Sequence, residues 1–149
     1  MSIKKIGLIA GVLLGLAACQ PSDPKIQLTI QTEQASISVN AEVALTAEEK
    51  RIGLMNRTHL EEGMGMLFIY SDPFVARFWM KDTLIPLDMI FIDSQYTIKR
   101  IEHAAPPCPP ETQCPIYSSE TPVQYILEVP GGFVKKHHIE IDDTVTWQQ

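Results

Sequence analysis

Apolar and polar residues alternate along much of the chain, in short segments separated by turn-forming residues. The segments "KIQLTIQ" and "ASISVNAEVALT" follow this two-residue period, which is typical of β-strands that turn one face toward a core. Further apolar segments, each bounded by Pro, Gly, Asp or Ser, predict additional strands: "MGMLFIY", "FVARFWMK", "LDMIFID", "YTIKRIEH" and "VQYILEVP".

One short helix interrupts this series of strands. Thr46 can cap its N-terminus, and Glu49, three residues later, can return the hydrogen bond in a capping box. Gly53 can then end the helix. The segment "GGFVKKHHIEIDDTVTW" predicts one more helical turn and a last strand. Many short strands with one short helical insert predict an all-β, single-domain fold, a sandwich or jelly-roll-like barrel.

The N-terminal segment has a different pattern. Lys4 and Lys5 precede an uncharged apolar run from Ile6 to Ala18, which is shorter than the about 20 residues of a membrane-spanning helix. This arrangement is typical of a secretory signal peptide. Its last residues, Leu-Ala-Ala followed by Cys19, resemble the bacterial lipobox. An ordinary signal peptide with a chance cysteine is the alternative.

The sequence therefore predicts three parts: a lipoprotein signal peptide over residues 1–18, a lipid-anchored tether over 19–25, and a β domain over 26–149. An acylated Cys19 would attach the protein to a lipid bilayer in the cell envelope, facing the periplasm. Gln20, rather than Asp, follows this cysteine, which favours the outer membrane over the inner one.

Charge and cysteine usage narrow the possible partners. The chain has 12 Lys and Arg residues against 18 Asp and Glu residues, a net charge of −6, and it has no basic stripe, so nucleic acid is a disfavoured partner. Cys108 and Cys114, in "PPCPPETQC", remain once Cys19 is assigned to lipid, and export predicts a disulfide between them. A zinc site that recruits His103 would require more closely spaced cysteines, and a redox C-x-x-C motif is absent.

The stretch "FWMKDTLIPLDMIFID", Phe78 to Asp93, concentrates the candidate chemistry. Its alternation places Trp79 and Lys81 on one strand face and Met80 on the other. One interpretation is a core hairpin in which Asp88 forms an ion pair with Arg51 or Arg57. The other is a ligand pocket. The predicted ligand-binding residues are Arg51, Arg57, Trp79, Lys81 and Asp88.

Catalysis, cofactors and metals have weaker support in the sequence. No histidine has a motif partner, and the two remaining cysteines are expected to be oxidised, so the sequence favours a protein without catalytic residues. Asp82 and Asp88 could form a carboxylate pair in a hydrolase. Met55, Met64, Met66, Met80 and Met89 suggest copper(I), but they lack a repeated Met-x-x-Met spacing and fit an apolar core. No metal or cofactor is predicted.

Six segments, in order, resemble the family called domain of unknown function 192: "RIGLMNR", "GMGMLFIY", "FWMKDTLIPLDMIFID", "PCPPETQCPIYSS", "YILEVPGG" and "DDTV". The resemblance runs from about Ile37 to the C-terminus. It implies a compact β-rich fold, often exported or lipid-anchored, and no established activity. Asp82 stands where the family usually has Asn, the hairpin after Asp93 lacks the usual glycine, and Asp142 replaces a glycine.

Together these observations predict an envelope lipoprotein that binds a small polar or anionic ligand of the glycan or cell-wall fragment class. The alternative is an accessory module that binds another envelope protein through an exposed aromatic hairpin. The hydrolase that uses Asp82 and Asp88 is the third hypothesis.

Overall fold

The computed structural model describes residues 25–148, and they form one β-rich domain. The all-β, single-domain prediction is confirmed. The predicted signal peptide and Cys19, the predicted lipidation site, lie outside the described residues. The elements are β1 (Lys25–Gln31), β2 (Ser36–Ala44), α1 (Ala47–Ile52), β3 (Met64–Trp79), β4 (Leu87–Ile92), β5 (Ile98–Ala105), β6 (Ile116–Pro130), α2 (Phe133–Lys136) and β7 (Thr144–Trp147).

The seven strands form one mixed sheet in the order β5-β4-β6-β3-β2-β1-β7. Only the β2–β3 pair is parallel, and the other neighbouring pairs are antiparallel. Main-chain bonds connect the two edges, since Ile98 donates to Asp143 (2.9 Å) and Val145 donates to Tyr96 (2.8 Å). The sheet is therefore curled, as in a partly closed barrel.

The curled sheet has an apolar cluster on each face. All seven strands contribute to the inner cluster, with residues such as Leu28, Ile90 and Val145. The outer cluster contains Phe68, Met89 and other side chains, and it packs against the segments around α1 and after β3. All six residues of β4 are buried, because this strand is covered on both faces.

The α1 helix has the predicted capping box. The Thr46 hydroxyl accepts a hydrogen bond from the main-chain N–H of Glu49 (3.2 Å), whose carboxylate accepts the Thr46 N–H (2.8 Å). Gly53 ends the helix with a φ of +48°, a left-handed value that glycine adopts at little cost. The capped helix fixes the position of Lys50 and Arg51 in its last turn.

The predicted ion pair between Asp88 and an arginine is wrong. Asp88 is fully buried, and its carboxylate accepts main-chain N–H bonds from Ala104 (2.7 Å), Gly132 (3.0 Å) and Val134 (2.8 Å). Strand alternation places Asp88 on the same face as Ile90, which belongs to the inner cluster. Asp88 therefore connects β4 to β5 and to the start of α2.

The two arginines proposed as partners of Asp88 have other partners. Arg51 forms a bidentate pair with Glu48 (2.6 and 2.8 Å), and Arg57 contacts Glu42 (2.5 and 3.0 Å). Both pairs lie near α1, on the side of the sheet where the outer cluster packs.

Cys108 and Cys114 form the predicted disulfide, with a Cα–Cα distance of 5.8 Å. Cys108 is buried, and its carbonyl accepts the N–H of Asp82 (2.9 Å) while its own N–H donates to Thr83 (3.1 Å). The disulfide loop thus supports the connection that follows β3 and carries Lys81.

Candidate functional site

A small pocket lies between α1 and β3, and we call it the α1–β3 pocket. Its volume is about 120 Å³. Pockets for drug-sized ligands usually enclose about 300–1,000 Å³, so this cavity fits a small molecule or the terminal group of a larger one. It lies on the outer face of the sheet, and Phe68 and Phe78 pack edge to face beside it, with ring centroids 5.1 Å apart.

Four cationic side chains line this pocket. Lys50 and Arg51 come from α1, Arg77 comes from the end of β3, and Lys81 follows that strand. Across residues 25–148, no carboxylate lies within ion-pair distance of Arg77 or Lys81. The pair between Arg51 and Glu48 is exposed, and such pairs contribute little free energy. The pocket is therefore a concentrated positive region on an acidic protein.

Two aromatic rings add flat surfaces beside these cations. Trp79 is 49% exposed, whereas the next residue, Met80, is buried, so the predicted division of the two faces is confirmed. The Nζ of Lys81 lies 5.5 Å from the Trp79 ring centroid, and the Nζ of Lys50 lies 4.2 Å from that of Tyr70. Such rings can stack on a sugar or on another flat group.

The same pocket contains a buried carboxyl group, that of Glu128 on β6. Its exposure is 4%, and the neighbouring strands place Met66 and Met89 directly opposite it. Among residues 25–148, no hydrogen bond reaches this carboxyl group, and its oxygens are not among the fully enclosed side-chain atoms that lack a partner, so they border the cavity. Burial raises the pKa of Glu128 to about 8, because the charged form loses its hydration. At neutral pH the group is mostly protonated and can donate a hydrogen bond.

Glu128 was not among the residues predicted from the sequence. The available signal was a lone acid in the apolar strand segment "YILEVP", since Glu is almost never fully buried unless it is paired. The local sequence does not show whether a hydrogen-bonding side chain lies opposite Glu128 on a neighbouring strand. The structure shows that thioether side chains occupy the adjacent positions on both neighbouring strands.

The structure brings together three of the five predicted ligand-binding residues, namely Arg51, Trp79 and Lys81. Arg57 borders a neighbouring cavity, where it contacts Glu42. Asp88 borders a third cavity, together with His103 and other residues.

The third cavity also bears on the hydrolase hypothesis. Asp82 does not line this cavity, and the Asp88 carboxylate is engaged by three main-chain N–H groups. The geometry therefore gives no support to a catalytic couple of Asp82 and Asp88.

Two further features of the described residues concern metals and membranes. Residues 25–148 contain no cluster of three or more His, Cys, Asp or Glu side chains that could hold a metal ion, and Met66, Met80 and Met89 are buried in the outer apolar cluster. In the same part of the chain, no helix is long and apolar enough to cross a membrane.

Comparison with known proteins gives a family match and two structural relatives. The DUF192 family model, described as an uncharacterized ACR, matches residues 28–147. A crystal structure from Sinorhizobium meliloti 1021, provisionally described as a transcription regulator, is 32% identical, with a TM-score of 0.79 over 86% of this chain and 97% of that chain. One from Novosphingobium aromaticivorans DSM 12444, of unknown function, is 28% identical, with a TM-score of 0.78 over 93% and 100%. No curated protein matches the sequence.

Proposed function

The chain belongs to the DUF192 family, and we propose that it is an envelope lipoprotein whose α1–β3 pocket binds a small polar or anionic ligand. The ligand would be of the glycan or cell-wall fragment class. A nucleic acid partner is not proposed, because the net charge is −6 and the sequence has no basic stripe.

One observation carries this proposal: a buried carboxyl group without a partner, Glu128, lies in the same small cavity as four cations and an exposed tryptophan. A buried polar group without a hydrogen bond costs free energy of folding. Ionisable groups with strongly shifted pKa values, when they lie in a cleft, are candidates for functional sites. A ligand that hydrogen-bonds to Glu128 would remove this cost in the bound state.

The other lining residues indicate the chemistry of the ligand. The guanidinium group of Arg77, which forms no ion pair among residues 25–148, presents forked donors that suit a carboxylate or phosphate. Trp79 offers a half-exposed ring for an apolar sugar face. The volume of about 120 Å³ limits the enclosed part to an acid group and a few neighbouring atoms. A sugar acid or the terminal residue of a cell-wall fragment meets these requirements.

Replacing Lys81 with alanine should weaken ligand binding at least about tenfold, because a charge-assisted hydrogen bond contributes about 1.5–3 kcal/mol. Arg77→Ala and Trp79→Ala should have similar effects, and all three proteins should retain a melting temperature near that of the wild type, since these side chains are exposed. The measurement is calorimetric titration with sugar acids, sugar phosphates and muramic acid derivatives.

Lys99→Ala is the matched control for this experiment. Lys99 lies on β5, where its Nζ is 3.5 Å from an oxygen of Asp142, and it does not line the α1–β3 pocket. Its loss should leave binding unchanged. If Lys81→Ala and Lys99→Ala reduce binding equally, the effect reflects net charge, and the pocket is not the binding site.

The second candidate function is docking on another envelope protein. Trp79 and Ile116 are directly opposite on β3 and β6, and each is about half exposed, so their side chains form an apolar patch at the mouth of the pocket. Ile116→Glu separates the two functions. It should abolish docking on a protein partner, whereas binding of a small ligand inside the pocket should persist.

The proposed lipid anchor has its own test. Cys19→Ser should leave an uncleaved precursor that does not incorporate labelled fatty acid, because the lipid is attached through the thiol of this cysteine. Cys114→Ser is the control and should remain labelled. Incorporation of label into the Cys19→Ser protein would contradict the lipoprotein assignment.

A further inference from the structure

The α1–β3 pocket is small enough for one anion to contact groups of both kinds, cationic and carboxylic. Lys81, Arg77 and Glu128 all line a volume of about 120 Å³. An anion with two or more oxygens can contact a lining cation through one oxygen and the carboxyl group of Glu128 through another. The protonation state of Glu128 then decides whether the second oxygen meets a hydrogen-bond donor or a second negative charge.

We infer that the α1–β3 pocket binds its anion together with one proton, because an oxygen of the anion accepts a hydrogen bond from the carboxyl group of Glu128. This inference rests on the proposed function and adds its regulation by pH. Carboxylates and tetrahedral oxyanions share the required chemistry, namely an acceptor oxygen on a charged group. When Glu128 is ionised, it can no longer donate, and two negative charges face each other in a small cavity.

The geometry around Glu128 supports this role. Its strand neighbours on the same face are Met66 and Met89, which offer neither a strong hydrogen bond nor a charge that would stabilise the ionised form. Among residues 25–148, Glu128 also forms no ion pair with a lining cation, so its carboxyl group keeps its donor available for a ligand. Burial raises its pKa above the ordinary value, so the donor form persists through neutral pH.

Other titratable and charged groups face the same cavity and must be distinguished from Glu128. From α1 these are Lys50 and Arg51; from β3 they are Tyr70 and Arg77; and Lys81 follows β3. Burial, and to a lesser degree the charge of Glu128, raises the pKa of Tyr70, so its hydroxyl stays protonated up to pH 9. Burial lowers the pKa of Lys50, which makes it the one competing source of pH dependence.

The test is calorimetric titration of the wild-type and Glu128→Gln proteins with sodium glucuronate and, separately, with sodium sulfate. Neither anion changes its charge between pH 7 and pH 9. For the wild type, affinity should fall about tenfold over this range, as expected for a group with a pKa of about 8 that must hold its proton. At pH 9, titration in buffers of different ionisation enthalpy should show uptake of nearly one proton.

The Glu128→Gln protein should bind equally well at pH 7 and pH 9 and should take up no proton, since the amide donates without titrating. The two anions distinguish a carboxylate ligand from a tetrahedral one. A flat wild-type profile, or a tenfold fall that persists in Glu128→Gln, would overturn this inference but leave the anion site in place. If neither anion binds at pH 7, both this inference and the proposed anion site are wrong.

Discussion

Replacing Asp88 with alanine is expected to lower the free energy of unfolding by roughly 3–5 kcal/mol. The change leaves three main-chain donors, those of Ala104, Gly132 and Val134, without their acceptor at a fully buried position. Each buried donor that loses its partner costs about 1–3 kcal/mol, and local relaxation recovers part of the total. Urea denaturation followed by circular dichroism measures the difference, at an unchanged slope against denaturant.

Two further variants test whether the loss of stability comes from the missing acceptor. The stability of Asp88→Asn should lie between those of the wild type and Asp88→Ala. Its one acceptor oxygen can keep the hydrogen bonds from Ala104 and Gly132. Its NH₂ group cannot accept the N–H of Val134, so that hydrogen bond is lost. Asp72→Ala is the control, since this aspartate is exposed on β3 and its carboxylate accepts a hydrogen bond from the Ser71 hydroxyl. It should change stability by less than about 0.5 kcal/mol. A loss of under about 1 kcal/mol in Asp88→Ala would show that water replaces the carboxylate.

Replacing Glu128 with glutamine should stabilise the protein by an amount that grows with pH. Burial raises the pKa of Glu128 from 4.5 to about 8 in the folded state. Between these values the folded state holds a proton that the unfolded chain has lost, so the stability of the wild type falls as pH rises from about 4.5 to 8. Glutamine does not titrate, and its advantage should reach about 4–5 kcal/mol at pH 8.

Urea denaturation at several pH values from about 5 to about 9.5 tests this expectation. The difference between the two proteins should increase by about 1.4 kcal/mol for each pH unit and level off above pH 8. Glu61→Gln, at an exposed position, should give a curve parallel to that of the wild type. Parallel curves for Glu128→Gln and wild type would mean that Glu128 is not desolvated in the folded protein.

A stabilising Glu128→Gln variant would also bear on function. Proteins commonly accept a loss of stability where a site needs an unsatisfied or strained group. The expected gain in stability and the expected loss of pH-dependent binding both originate in one carboxyl group. Measured together on the same variant, they distinguish a ligand-binding carboxyl group from a buried residue without function.

Features that depend on residues close together in the chain could be predicted before the fold was known. Two-residue alternation predicted that Trp79 and Met80 face opposite sides of β3, and the exposure of Trp79 agrees. Thr46 and Glu49 predicted the capping box, because the two residues of that motif are three positions apart. The period of the strands and the absence of long helical patterns were enough to predict an all-β domain.

Contacts between side chains on different strands could not be predicted in this way, because they depend on the three-dimensional fold. Asp88 bonds to Gly132 and Val134, 44 and 46 residues later, and strand alternation places it on the face opposite Glu128. Arg51 and Arg57 are close in sequence, yet they border different cavities. Glu128 belongs to the pocket because β6 lies between β3 and β4. Strand order and the curl of the sheet arise from long-range packing, which a local pattern of residues does not encode.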